Sequence, residues 1–279
     1  MTAMTQRPPI IRLSGVHKGF NGQVVLDGVD LSVRPGKTTV VIGPSGCGKS
    51  VLLKTIIGLL KPDRGQVFFG DNEVSAMNER SLTRVRRHFG FLFQGSALFD
   101  SMTVAENVCF PLIEHGVGTA EAQARRCREV LAMVGLDDPE GVFPGKYPEE
   151  LSGGQKKRVA LARAIALDPE VILYDEPTTG LDPIRADLIN ELMLKLQGTL
   201  GTTAVVVTHD MRSARKVGDR IVMLYEGHFI ADTTPDKLST IDNEVVARFV
   251  EGRASPEELA ELESSHAALF GRVLDGSGR

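Results

Sequence analysis

Gly43-Pro44-Ser45-Gly46-Cys47-Gly48-Lys49-Ser50 is the stretch of this chain best equipped for chemistry. It has the form G-x-x-x-x-G-K-[ST] and lies between an apparent strand and an apparent helix, a spacing that serves phosphate. Its glycines let successive backbone N–H groups turn inward around phosphate oxygens, and the following helix N-terminus adds a favourable dipole. Lys49 then places positive charge at the β and γ phosphates, and the Ser50 hydroxyl can ligate Mg2+. Average residue usage makes a chance match in a chain this long roughly a one-in-a-hundred event. Cys47 reads as a small residue filling a loop position, with a reactive thiol beside bound phosphate as the alternative.

Two further sets of side chains stand at the ends of apolar runs. Val171-Ile172-Leu173-Tyr174 leads into Asp175-Glu176, and Ala204-Val205-Val206-Val207-Thr208 leads into His209. Continuous β-branched runs of this kind fit central parallel strands covered on both faces. Ligands gather at the carboxyl end of such strands. Asp175 is suited to hold Mg2+ directly or through water, and Glu176 to polarise an attacking water. Strand ends often carry solvated acids, so the pair gains its weight from the phosphate loop. His209 is placed for a γ-phosphate contact, whereas His17, His88, His115, His228 and His266 lack such a setting and read as surface or packing residues.

A second glycine turn, Leu151-Ser152-Gly153-Gly154-Gln155, precedes the Ala-rich helical stretch from Lys156 to Leu167. Ser152 can cap that helix, and Gly153 and Gly154 permit close backbone approach, which makes another anion site at a helix start. Taken alone it is a well-capped helix. Two phosphate-seeking helix ends in one chain ask for a common explanation.

The elements that must hold these residues are partly legible. Ile10 to Leu13, Val24 to Leu26, Val29 to Val33 and Thr38 to Ile42 read as short strands, separated by turns at Asn21-Gly22 and Pro35-Gly36. Ser50 to Leu60 suits a helix buried against a sheet. From about Gly95 to Gly154 the pattern turns helical, most clearly over Ala120 to Val134, and reads as an inserted lobe. The tail after Asp242 contains a helix start at Ser255-Pro256-Glu257-Glu258. Leu259, Leu262, Leu269, Phe270 and Val273 follow at near-helical spacing, for a helix that packs on its own domain or docks a partner.

Composition limits the choices. The 279 residues allow one large domain or one domain with an inserted lobe. A net charge of −4 gives no basic field for nucleic acid, and the Arg84, Arg86, Arg87 group reads as a solvated face. The opening MTAMTQRPPIIRLSG lacks the apolar core of a secretory signal, and the apolar runs are far too short to span a bilayer. Three cysteines (Cys47, Cys109 and Cys127) without zinc-like spacing suit a reducing compartment.

The order of motifs resembles the ABC-transporter ATPases. GPSGCGKS is similar to their Walker A motif, LSGGQ to the family signature and VILYDEP to Walker B. Gln94 in FLFQ is similar to the Q-loop glutamine, Gly180-Leu181-Asp182 to the D-loop and His209 to the switch histidine, while Phe20 resembles the aromatic that stacks on adenine. The resemblance covers about residues 10–240. It implies an α/β P-loop NTPase core with a mainly parallel sheet, an N-terminal antiparallel β subdomain and an inserted helical subdomain. The core would comprise residues 1–94 and 156–241, the helical subdomain residues 95–155, and a C-terminal helical extension residues 242–279. It further implies ATP and Mg2+, with Ser50, Gln94 and Asp175 at the metal, and hydrolysis carried by Glu176, His209 and Gln94. Nucleotide contacts would come from Phe20, Gly43 to Val51, Ser152 to Gln155 and Asp182. Val51 stands where many members carry Thr, so an α-phosphate contact there must come from backbone.

In that family two subunits pair head to tail, so that one signature completes the other's ATP site, an isologous C2 arrangement. Gln94 to Val108, with Phe110-Pro111-Leu112 and Tyr174 to Ile184, resembles more narrowly the MlaF (Mkl-type) phospholipid-transport ATPases. That implies permease subunits, an MCE-domain lipid-binding partner, a small STAS-type regulator, and a peripheral place on the cytoplasmic face of the inner membrane. Three alternatives share many of these features. An importer ATPase for amino acids or other small solutes would carry every catalytic motif. A soluble ABC ATPase usually has two cassettes or a long coiled coil, and a catalytically dead module would have lost Lys49, Asp175, Glu176 or His209.

Overall fold

The computed structural model describes residues 8–138, 140–256 and 259–260. Two sheets organise the first of two compact units, which runs to Asp236. Strands β1 (Ile11–Phe20) and β2 (Gln23–Val33) form a hairpin on the Asn21-Gly22 turn, with Asn21 at φ +51°. The two apolar runs separated in the sequence at Asp27-Gly28 join into one strand here. One extra residue of β2 is absorbed as a bulge opposite Val16–Lys18, so the pairing continues past it. After β3 (Thr38–Ile42) and helix α1 (Lys49–Ile56), β4 (Arg64–Phe69) returns antiparallel to β1, and β5 (Asn72–Glu73) completes the order β2-β1-β4-β5.

Helix α1 stops at Ile56, short of the Leu60 expected from its apolar pattern. The Lys54 carbonyl accepts the N–H groups of both Leu59 and Leu60, which closes the last turn on itself. Helix α2 (Glu79–Arg86) then leads into β6 (Phe89–Leu92), followed by α3 (Val104–Glu114), α4 (Ala120–Met133) and α5 (Gly153–Ile165). Each of the last three starts on a hydroxyl cap: Thr103, Thr119 and Ser152. Thr103 and Ser152 form reciprocal capping boxes with Glu106 and Gln155. The three helices pack on one another, and α5 also packs on β6. Helix α5 begins three residues earlier than Lys156, because the Ser152 cap admits both glycines to its first turn.

Strand β7 (Val171–Asp175), helix α6 (Pro183–Leu200), β8 (Thr203–Thr208), α7 (Met211–Val217), β9 (Arg220–Tyr225) and β10 (His228–Thr233) close the unit. The larger sheet has the order β10-β9-β3-β8-β7-β6, parallel throughout except for β10. Every residue of β3, β7 and β8 is buried, as the unbroken apolar runs require. Helix α1 lies between the two sheets, burying Leu52, Leu53 and Ile56 against β4, β7 and β8. A parallel β3-β8-β7 centre places Ile42, Thr208 and Asp175 at one end of the sheet, where the chemistry-bearing loops emerge.

The second unit begins at Lys237. It holds α8 (Glu244–Glu251), capped by Asn243 through the N–H groups of Val245 and Val246. A new turn starts as Leu259 N–H donates to the Ser255 carbonyl, and the rest of the helix expected there lies outside the described residues. Among the described residues no helix is long and apolar enough to cross a membrane.

Candidate functional site at the carboxyl ends of the central strands

The loop between β3 and α1 wraps its own lysine. Lys49, 6% exposed, donates from Nζ to the carbonyls of Gly43 and Pro44, each at 2.8 Å. The same Nζ lies 3.7 Å from Glu176 Oε1. Two glycines make the wrap sterically feasible. A Cβ on Gly43 would stand 2.2 Å from the Leu224 carbonyl oxygen. One on Gly48, at φ +104°, would meet Val25 Cγ1 at 2.8 Å. Burial pushes the Cys47 thiol above its usual range despite neighbouring Lys49, which fits a small filling residue better than a nucleophile.

Glu176 follows β7 in a left-handed conformation, φ +48°, uncommon for a residue with a Cβ. That turn aims its carboxylate back into the cleft. Oε2 meets His209 Nδ1 at 2.9 Å and accepts from the hydroxyls of Thr179 (3.2 Å) and Thr208 (3.4 Å), while Oε1 faces Lys49. Next to it, Asp175 Oδ1 accepts from the Ser50 hydroxyl at 2.8 Å. Burial raises the Asp175 carboxyl above its ordinary range, the Ser50 hydrogen bond opposes that, and the charge of Glu176 adds to it. A divalent cation at this spot would reverse the balance.

The donors here are hard oxygens: a carboxylate, a hydroxyl and the nearby Gln94. They fit Mg2+, which takes few protein ligands and completes its shell with water and phosphate oxygens. Among the described residues no three His, Cys, Asp or Glu side chains converge as an all-protein metal cage. Val25, Ser45, Gly46, Gly48, Lys49, Ser50, Val51, Gln94, Glu176 and His209 line one cavity of about 340 Å3. Residues from five separate stretches of sequence therefore meet around one space.

Other residues singled out in the sequence lie elsewhere on the chain. Ser152, Gly154 and Gln155 line a different cavity of about 730 Å3, with the end of α4 and the flank of α6. Asp182 is spent on capping α6, accepting from the N–H groups of Ile184 and Arg185. Phe20, 41% exposed, ends β1 with the Lys18 ammonium 5.3 Å from its ring centre, outside the lining of the phosphate-loop cavity. One residue had no signal in the sequence. Lys157, 5% exposed inside α5, donates from Nζ to the backbone carbonyls of Gln94 and, at 3.4 Å, Glu176. Burial lowers its pKa, against the opposing pull of Asp175 and Glu176.

Comparison with known proteins adds a second line of observation. The family model described as ABC transporter matches residues 26–179. The Mycobacterium tuberculosis protein named probable ribonucleotide transport ATP-binding protein mkl is 40% identical over 281 residues, covering 95% of this chain and 77% of its own. The L-cystine transport system ATP-binding protein TcyN of Escherichia coli is 43% identical over 228 residues, covering 79% of this chain and 88% of its own. Among solved structures, a dimeric ATP-binding cassette in a post-hydrolysis state bound to ADP and Pi aligns with a TM-score of 0.74. It is 37% identical, covering 81% of this chain and 98% of that one.

Proposed function

Because this chain belongs to the ABC transporter family, as an ATP-binding and ATP-hydrolysing subunit of the Mkl type, we propose that it powers phospholipid movement between bacterial membranes. Its partners in this reading are permease subunits and an MCE-domain protein, with a small STAS-type regulator, at the cytoplasmic face of the inner membrane. The observation that carries the lipid reading is the segment Gln94 to Leu112, whose sequence resembles the MlaF-type ATPases. The core is assigned to residues 1–94 and 156–241, the helical subdomain to 95–155, and the extension to 242–279.

The chemistry follows from the cavity. Lys49 leaves the Gly43 and Pro44 carbonyls for the β and γ phosphates, and the turned-in N–H groups of residues 45–50 hold the phosphate oxygens. Ser50, Asp175 and Gln94 would hold Mg2+, which supplies charge neutralisation at the phosphates. Glu176 takes a proton from the attacking water at its carboxylate. Thr179, Thr208 and His209 orient that carboxylate, and His209 is within reach of the γ-phosphate side. Phe20 offers a ring face to the adenine, and Val51 contributes backbone only.

Ser152 to Gln155 and Asp182 lie apart from this cavity, so they act on a second copy's nucleotide in a head-to-tail homodimer. The aligned dimeric cassette supports that pairing. Loss of the γ-phosphate contacts on hydrolysis then shifts the pair towards the open state.

A second reading, import of a small solute, is favoured by the names of the relatives, which include ribonucleotide, methionine and L-cystine transport. Tagged Glu176→Gln protein, recovered from native membranes with ATP, separates the two by mass spectrometry of its proteins and lipids. A permease with an MCE-domain protein and enriched phospholipid supports the lipid reading. A permease with a solute-binding protein replaces it.

A further inference from the structure

We propose that Lys157 is a positioning residue that ties the Ser152 turn to the reaction centre of the same chain; the inference rests on the function proposed above. Lys157 lies five residues beyond the cap of α5, and its ammonium is inside the protein. A buried ammonium persists only where acceptors and opposite charge compensate it. Here the carbonyls of Gln94 and Glu176 accept from it, and the carboxylates of Asp175 and Glu176 supply the charge. One cation thus bridges the backbone of the residue expected at the metal and that of the residue expected to take the proton.

A second cation on the same helix extends the grip. Arg163 donates through NH1 to the Ala97 carbonyl at 2.7 Å and through NH2 to the Ser96 carbonyl at 2.9 Å. Ser96 and Ala97 adopt φ +64° and +47°, a left-handed pair that side chains disfavour, so this turn is held from outside. Helix α5 therefore grasps the segment after β6 at Gln94, Ser96 and Ala97, and grasps the end of β7 at Glu176. A helix transmits displacement along its axis with little loss. Whatever engages Ser152, at the N-terminus of α5, moves the Gln94 and Glu176 backbones with it. In a head-to-tail pair, nucleotide on one face of a subunit thereby sets the geometry of the site on its other face, a coupling between sites.

Phosphate release against ATP concentration tests this for the full chain, Lys157→Met and Lys157→Arg, with ATP affinity by calorimetry and thermal unfolding alongside. Lys157→Met should lower kcat about ten- to hundred-fold, the worth of one hydrogen bond from a charged donor. KM should stay within about two-fold and the Hill coefficient should fall towards one. Lys157→Arg keeps the charge and donors and should recover part of both losses. Should Lys157→Met fail to fold, Arg163→Gln removes the second grip and should lower kcat and the Hill coefficient in the same direction. An active wild type with unchanged kcat and Hill coefficient in the folded variants overturns the role of Lys157 alone. So does parallel loss of ATP affinity, melting temperature and kcat, which marks a merely structural residue. A wild type that hydrolyses ATP without cooperativity overturns the coupling, and one that neither binds nor hydrolyses ATP overturns the function reading with it.

Discussion

Replacing Glu176 with Gln keeps its shape and removes its charge, and the structure says where that charge matters. In the free protein Glu176 Oε1 lies 3.7 Å from Lys49 Nζ, with both side chains almost fully buried. At an effective dielectric of about 20 their attraction is on the order of 4 kcal/mol. Nucleotide binding draws Lys49 to phosphate, so this attraction stabilises the free state against the bound one. Its removal should leave ATP affinity unchanged or raise it, because Lys49 is still positioned by the Gly43 and Pro44 carbonyls. Turnover has no such compensation. The Gln amide can still accept from Thr179, Thr208 and His209 through its oxygen, yet it cannot take a proton from water. The expected loss is about 10²–10⁴ in kcat, or about 2.7–5.5 kcal/mol of barrier. Calorimetric titration of ATP and steady-state phosphate release on the same preparation measure both quantities. Near-normal turnover would refute Glu176 as the base. A ten-fold or greater fall in ATP affinity would refute the argument from the Lys49 pair.

Three further outcomes follow from the same geometry. Lys49→Ala should weaken ATP binding itself, since it deletes the cation at the phosphates; equal affinity by calorimetry would contradict the phosphate-loop assignment. Ser152→Ala should retain ATP binding by the single chain while losing hydrolysis, and full activity at dilutions where the chain is monomeric would refute action across a pair. Gly48→Ala should destabilise the chain by about 1–3 kcal/mol, from the backbone at φ +104° alone, with the Val25 clash added. Its melting temperature should therefore fall, and adding Val25→Ala should restore only the part due to the clash.

How far this could be read from the chain depended on sequence distance. The phosphate loop was legible because its function resides in consecutive backbone N–H groups, and local glycine spacing encodes their direction. The buried strands β3, β7 and β8 were legible for a similar reason: each declares itself by an unbroken apolar run ending at a polar residue. Strand β6 was not, since Phe89-Gly90-Phe91-Leu92 is four residues with a glycine, and only pairing with β7 makes it a strand. The end of α1 is not legible either, because periodicity continues past Ile56 while the Lys54 carbonyl ends the helix.

By itself the sequence determined which groups are available: the glycines that turn N–H groups inward, the lysine and serine beside them, the acids and the histidine at strand ends, and the cap at Ser152. Tertiary structure decided which of them meet. Lys157 reads in sequence as an ordinary solvated helix lysine, and its burial against Gln94 arises between positions 63 residues apart. Likewise only the folded chain shows that the Ser152 turn opens on a different cavity from Lys49. Hydrogen-bond direction is set within a few residues, whereas burial and convergence depend on strand order, which no local pattern records.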